Sequence, residues 1–276
     1  MNQAKRDSKS WLALAIGNSR LHWARFTGST LEGFWDTPHL PASVVKQLIE
    51  RNFEANVWLQ QMPNFVETKI FPSDTKPPPL WIASVVPDQL KLWQIYPKAQ
   101  IITLDNLPLL GVYATLGIDR ALALWGAGNQ LNWPVLVIDA GTALTFTGAD
   151  QRRQLVGGAI LPGLGLQLQS LSQKTAALPL VNTSSEASLP SRWALNTQDA
   201  IQSGIIYSLL AGICNFIEDW CRQFPDSSVA LTGGDSQVLF TYLQVFSHEI
   251  AAKIIVDPHL IFWGIRERVL AGNQSR

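Results

Sequence analysis

Residues 12–26 read LALAIGNSRLHWARF and residues 134–149 read PVLVIDAGTALTFTGA. Each is an apolar run, a tight glycine-bearing corner and a second extended run. Residues 135–138 form a continuous apolar stretch, as expected of a strand covered on both faces, and Gly141 and Thr142 make the corner. Leu144, Phe146 and Gly148 then alternate with Thr145, Thr147 and Ala149, which suits a strand returning from a hairpin. Two copies of one supersecondary unit, roughly 120 residues apart, predict a duplicated α/β architecture with the ligand in the cleft between its halves.

The first corner, Gly17, Asn18 and Ser19, can cradle a phosphate through its backbone N–H groups. A loop of this kind usually presents an acid to magnesium as well. Here the corresponding residue is Ala15, so the corner has the parts that hold phosphate and lacks the carboxylate.

The rest of the chain fits an α/β pattern. PPLWIASVVP predicts a core strand ended by Pro87, ALALWGAGNQL a short helix, and TQDAIQSGIIYSLLAGICNFIEDWCRQF a long one. In the last, Ile201, Ile205, Leu209, Ile213, Phe216 and Trp220 recur at helical spacing. SSVALTGGDSQVLFTYL reads as strand, Gly-Gly corner and helix, and the polar residues 180–190 as an exposed loop.

With 276 residues and 47% hydrophobic content the chain can fill one large core or two ordinary ones. Its 21 basic and 21 acidic residues balance, so no long-range field recruits nucleic acid or an anionic membrane, and neither is expected as a partner. No run is read as long enough to span a bilayer, and the polar start MNQAKRDSKS does not resemble a secretory signal, so a cytoplasmic location behind a flexible tail is expected. Cys214 and Cys221 lie about 10 Å apart along a helix axis, too far for a disulfide and without metal-ligand neighbours, which makes them structural thiols. The eleven tryptophans are scattered and read mostly as packing residues.

Few side chains offer chemistry. Asp139 ends a buried run beside a corner, where a cation would offset the desolvation of its charge; an Asx-type turn explains it equally well. Thr142 could give its hydroxyl to a phosphate or serve as an ordinary corner residue. Asp119, where a loop becomes a helix, reads as an N-cap, as a general base for an attacking hydroxyl, or as both, with Arg120 beside it to meet an anion. Gly233 and Gly234 would let a planar ring approach bare backbone. His39, His248 and His259 have no partner at catalytic or metal spacing, and His22 differs only by its place in the first hairpin.

Taken together, IGNSRLHWA, YATLGIDRALALWGA, VIDAGTALTFTGA, GGAILPGLGLQLQSLSQKTAALP, NTQDAIQSG and LTGGDS resemble, in order and spacing, a type III pantothenate kinase over residues 11 to 270. The resemblance implies a duplicated ribonuclease H-like, actin/Hsp70-type α/β fold. The domains would be an N-terminal one over residues 11–118, behind the tail of residues 1–10, and a C-terminal one over 119–276. It implies ATP-dependent phosphorylation of pantothenate to 4'-phosphopantothenate, the first step toward coenzyme A, by a homodimer using Mg2+ and a monovalent cation, K+ or NH4+. By motif position Asp119 would be the catalytic base, and Tyr113, Gly117, Ile118, Asp119, Arg120 and Thr197 would meet pantothenate, Thr197 with a capping role as well. ATP would meet Ala15, Ile16, Gly17, Asn18, Ser19, Arg20, Leu21, His22 and Thr142, and Asp139 would bind the metal. Departures from the family pattern are Ala15 for the first motif's Asp, His22 where many relatives have lysine or another residue, and Thr147 where an acid often follows the second hairpin. Two other readings stay open: a non-catalytic binding or regulatory relative that lost turnover with the acid at position 15, and a kinase of another small hydroxy acid.

Overall fold

The computed structural model describes residues 9–61, 77–174, 178–181 and 188–274. In chain order the elements are β1 (Ser10–Ile16), β2 (Leu21–Thr27), β3 (Thr30–Thr37), α1 (Ala42–Glu50), α2 (Ala55–Gln61), β4 (Leu80–Ser84), α3 (Pro87–Trp93) and β5 (Ala99–Ile101). There follow α4 (Ile118–Leu131), β6 (Val135–Ala140), β7 (Ala143–Ala149), β8 (Leu155–Pro162), α5 (Leu164–Lys174) and α6 (Thr197–Gln223). The chain closes with β9 (Ser228–Thr232), α7 (Ser236–Phe246), α8 (His248–Ala251), β10 (Ile254–Val256) and α9 (Leu260–Gln274).

The chain divides into two compact units. One holds the described residues of Met1–Leu107, Gly117–Leu122 and Ile265–Arg276; the other holds those of Pro108–Leu116 and Ala123–Gly264. Each unit has a five-stranded sheet, β3-β2-β1-β4-β5 in the first and β10-β9-β6-β7-β8 in the second. Read from the central strand outward, the two orders are the same. β1 pairs antiparallel with β2 and parallel with β4, and β6 pairs antiparallel with β7 and parallel with β9. The duplication predicted from the two hairpins therefore extends to whole sheets.

The first core is built on aromatic rings. Trp23 on β2 packs edge-on against Trp58 and Trp93, with centroids 5.1 and 4.9 Å away, and lies parallel to Trp35 at 6.0 Å. Such pairs each contribute about 0.5–1.5 kcal/mol beyond the area they bury. Tryptophans thus act as packing residues, as the sequence predicts; Trp193, 87% exposed, is an exception.

The second core forms around α6. Ile205, Leu209, Ile213 and Ile217 are buried with Leu136 and Ile138 of β6, Phe146 of β7 and Leu231 of β9. Phe216 departs from the predicted stripe: it is half-exposed and stacks on Phe146 at 4.2 Å. By length and composition α6 could cross a membrane, contrary to the sequence expectation that no run is long enough. Ser203, Gly204, Ser208 and Asn215 interrupt the run and conceal its apolar character, while its buried face supplies the core. Cys214 is buried and Cys221 half-buried on this helix, both unbonded, and burial pushes the Cys214 thiol above its ordinary pKa.

Three local expectations change. Pro87 opens α3 instead of merely ending β4, because a first-turn position needs no N–H donor. Ser10, placed by sequence in the tail, begins β1, whereas residues 1–8 lie outside the described residues. The polar 180–190 stretch includes Val181, which is buried in the second core; residues 182–187 lie outside the described residues.

Candidate active site

In the first unit the Gly17–Ser19 corner is held from three sides. The Gly17 N–H donates to the Arg20 carbonyl at 3.0 Å, and the Val85 N–H donates to the Ile16 carbonyl at 3.1 Å. His39 Nε2 lies 2.8 Å from the Gly17 carbonyl. A carbonyl only accepts, so this nitrogen carries the proton. His39 thus has a structural role at the corner, in a contact that becomes visible only when β3 folds back beside β2. Asn18, Ser19 and Arg20 are exposed beyond the corner, while Ile16 and Leu21 are buried at its two strand ends.

Ala15 is buried and paired with His22 across β1 and β2, and His22 is paired with Asp36 across β2 and β3. Directly paired residues project to the same face, so the three form one row. His22 Nδ1 lies 2.7 Å from Asp36 Oδ1, with both side chains about half exposed. A bulge between Arg25 and Phe26 creates this pairing. Continued unchanged from Thr27 and Thr30, the ladder would set Trp35 opposite His22.

The start of α4 lies near the same corner. The Gly117 carbonyl accepts from the Ala121 N–H at 3.1 Å, so Gly117 occupies the capping position predicted for Asp119. Asp119 sits inside the first turn, where its Oδ1 accepts from the Arg120 N–H at 2.8 Å. Among the described residues Oδ2 makes no hydrogen bond. The carboxyl folds back so closely that a Cβ on Gly117 would collide with Oδ1, and Val85 Cγ1 lies 3.9 Å from the same point. The Val85 side chain thus lies near the start of α4 while its backbone holds the end of β1. Ile118 and Arg120 are buried.

In the second unit Asp139 is half-buried at the end of β6, between Thr145 of β7 and Thr232 of β9 in register. Gly233 has φ +93°, and a Cβ there would sit 2.5 Å from both Asp139 Oδ1 and the Ala140 carbonyl oxygen. Only glycine combines that backbone with that approach. The Asp235 N–H donates to the Ala140 carbonyl at 2.9 Å, and the Gly163 N–H to the Thr142 carbonyl, also at 2.9 Å. The second corner, the β9–α7 turn and the β8–α5 junction are thereby tied together around Asp139. Thr142 is exposed. Asp235, absent from the sequence-predicted set, is half-buried, and that burial raises its carboxyl pKa.

Tyr113 is exposed in a turn closed by the Leu116 N–H on its carbonyl at 2.9 Å. Leu110, three residues earlier, is bonded to Arg153 and Leu155, which anchors this loop beside β8. Thr197 is exposed at the first position of α6, but the cap is Asn196, whose side chain accepts from the Asp199 N–H at 3.0 Å. Thr197 lacks the capping role because it already lies inside the helix.

The donors around Asp139 are hard oxygens, suited to K+, NH4+ or Mg2+ and unsuited to soft metals. Among the described residues no three His, Cys, Asp or Glu side chains gather into a metal cage. A divalent ion here would draw further ligands from water and phosphate, as magnesium commonly does.

A family model for type III pantothenate kinases matches residues 11–219. A type III pantothenate kinase from Nostoc sp. is 54% identical over 269 residues, covering 98% of this chain and 97% of that protein. One from Synechocystis sp. is 42% identical over 257 residues, covering 93% and 89%. Among solved structures, a Campylobacter jejuni protein described as a conserved Baf family transcriptional activator superposes with TM-score 0.57 at 21% identity, covering 96% of this chain and 100% of that one. MreB 5 of Spiroplasma citri, bound to AMPPNP, gives 0.51 at 10% identity, covering 97% and 98%. At these identities the two structures speak for the fold alone, which is the duplicated actin/Hsp70-type α/β fold.

Proposed function

We infer that this chain, which belongs to the type III pantothenate kinase family, phosphorylates pantothenate with ATP, the first step of coenzyme A biosynthesis. The observation that carries the reading is the near full-length identity to pantothenate kinases, together with a phosphate-cradle corner and an Asp119 whose Oδ2 remains available.

Asp119 is the base. Its Oδ1 is engaged by the Arg120 N–H, and Oδ2 accepts the proton of the primary hydroxyl as that oxygen attacks the γ-phosphorus. Gly117, Ile118, Arg120, Tyr113 and Thr197 meet pantothenate, with the Arg120 guanidinium opposite negative charge. The backbone N–H groups of Gly17, Asn18 and Ser19 hold the phosphates, and Thr142 contributes its hydroxyl. Magnesium would be held by Asp139 and the ATP phosphates, and would neutralise charge on the transferring phosphoryl group. Asp139 would also serve the monovalent cation, K+ or NH4+; hard oxygen donors suit both ions.

The enzyme works as a cytoplasmic homodimer, without nucleic acid or membrane. β8 supports the dimer: it is an edge strand whose outward Val156 and Ile160 are 48% and 65% exposed, an apolar face for a second copy to cover.

Asp119→Asn tests the base directly. Turnover should fall by about 10²- to 10⁴-fold with ATP binding retained. Unchanged turnover would overturn the assignment.

A further inference from the structure

We propose that Asp36 is a positioning residue that holds the His22 ring as a phosphate donor beside the Gly17 corner, with His39 fixing the corner's backbone. The inference rests on the reading of Gly17, Asn18 and Ser19 as the phosphate cradle. It goes further by identifying what holds the His22 ring in place there.

Three observations carry it. First, His22 Nδ1 lies 2.7 Å from Asp36 Oδ1, and a carboxylate oxygen accepts, so Nδ1 carries a proton and the ring is oriented. Second, that orientation brings Nε2 to 3.7 Å from the point where a Cβ on Gly17 would sit, which places it beside Gly17 at the corner. Third, Gly17 is also gripped through its carbonyl by His39 Nε2 at 2.8 Å, so the corner has little freedom to move away from the ring.

The chemistry follows from the charges. With only Nδ1 protonated, Nε2 would present a lone pair to an incoming phosphate oxygen and repel it. With both nitrogens protonated, the ring donates to Asp36 on one side and to phosphate on the other, each bond charge-assisted. Asp36 lies on one side of the ring and the phosphate would lie on the other, so the ring would bridge two anionic groups. Lysine would need no such partner, since it carries its own charge on a flexible stem.

The row also explains why Ala15 suits this sheet. Ala15 is the cross-strand neighbour of His22 on the side opposite Asp36. A carboxylate at position 15 would compete for the ring, whereas a methyl group leaves Asp36 as its partner.

The test is affinity for AMPPNP, measured by titration calorimetry, with turnover measured in parallel. Asp36→Asn and His22→Gln should each weaken AMPPNP binding by about tenfold, and the double variant should be no weaker than either single one. In the His22→Lys background, Asp36→Asn should change affinity less than twofold. The KM for pantothenate should stay constant in Asp36→Asn while the KM for ATP rises. Nitrogen-15 NMR of the imidazole should show both ring nitrogens protonated in the AMPPNP complex. Equal affinity in wild type and Asp36→Asn, an equal loss from Asp36→Asn in the His22→Lys background, or an unprotonated Nε2 in the complex would overturn the proposal. If these occur while the wild type still phosphorylates pantothenate, the kinase reading stands and the positioning role alone is lost. A wild type that binds no AMPPNP would overturn both.

Discussion

At the scale of single residues, most of the site depends on close approach. Gly117 is glycine because the Asp119 carboxyl folds over it, so Gly117→Ala would push that carboxyl aside. Turnover should fall at least tenfold with little change in melting temperature; a simple kinetic assay beside a melting curve checks this, and an unaffected rate would contradict it. Tyr96 yields a pH prediction. It is buried, donates its hydroxyl to the Pro78 carbonyl at 2.6 Å, and burial pushes its pKa up to about 12 from 10.0. The folded state therefore holds its proton more tightly than the unfolded state. Its contribution to stability is complete below pH 10 and is lost as pH rises toward about 12. Urea midpoints across that window should fall less steeply in Tyr96→Phe than in wild type.

At the scale of elements, the two hairpins were legible because an apolar run, a glycine corner and a second run are local patterns. The β9–α7 turn was legible in outline from its Gly-Gly pair, but the need for Gly233 was not. That need arises from the Asp139 carboxylate and the Ala140 carbonyl, nearly a hundred residues away in sequence. Gly233→Ala would strain a φ of +93° against backbone that cannot yield, and should cost well over about 1 kcal/mol in denaturant unfolding. A loss below that would show that the turn can relax. The His22–Asp36 pair was illegible for a different reason: a bulge shifts the ladder by one residue, and an unbulged hairpin would have implicated Trp35. Two capping assignments failed by one or two residues, at Asp119 and Thr197, because a polar residue near a helix start reads alike at the cap and just inside it.

At the scale of the whole molecule, the sequence carried the duplication, and the matching strand orders extend it to both sheets. The proposed dimer is the least legible feature, because an exposed apolar edge acquires meaning only once β8 is seen at the end of its sheet. Sedimentation should give twice the chain mass, and Ile160→Lys should shift it toward one; a wild-type monomer would refute the dimer. We propose that this family member transfers phosphate without a carboxylate at position 15. The most direct measurement is formation of phosphopantothenate by purified wild type with ATP, Mg2+ and K+, beside Ala15→Asp. Sustained turnover by the wild type, lost when K+ is exchanged for Na+, is the predicted result. ATP binding without product in the wild type, with product appearing only in Ala15→Asp, would show that the missing acid abolishes transfer.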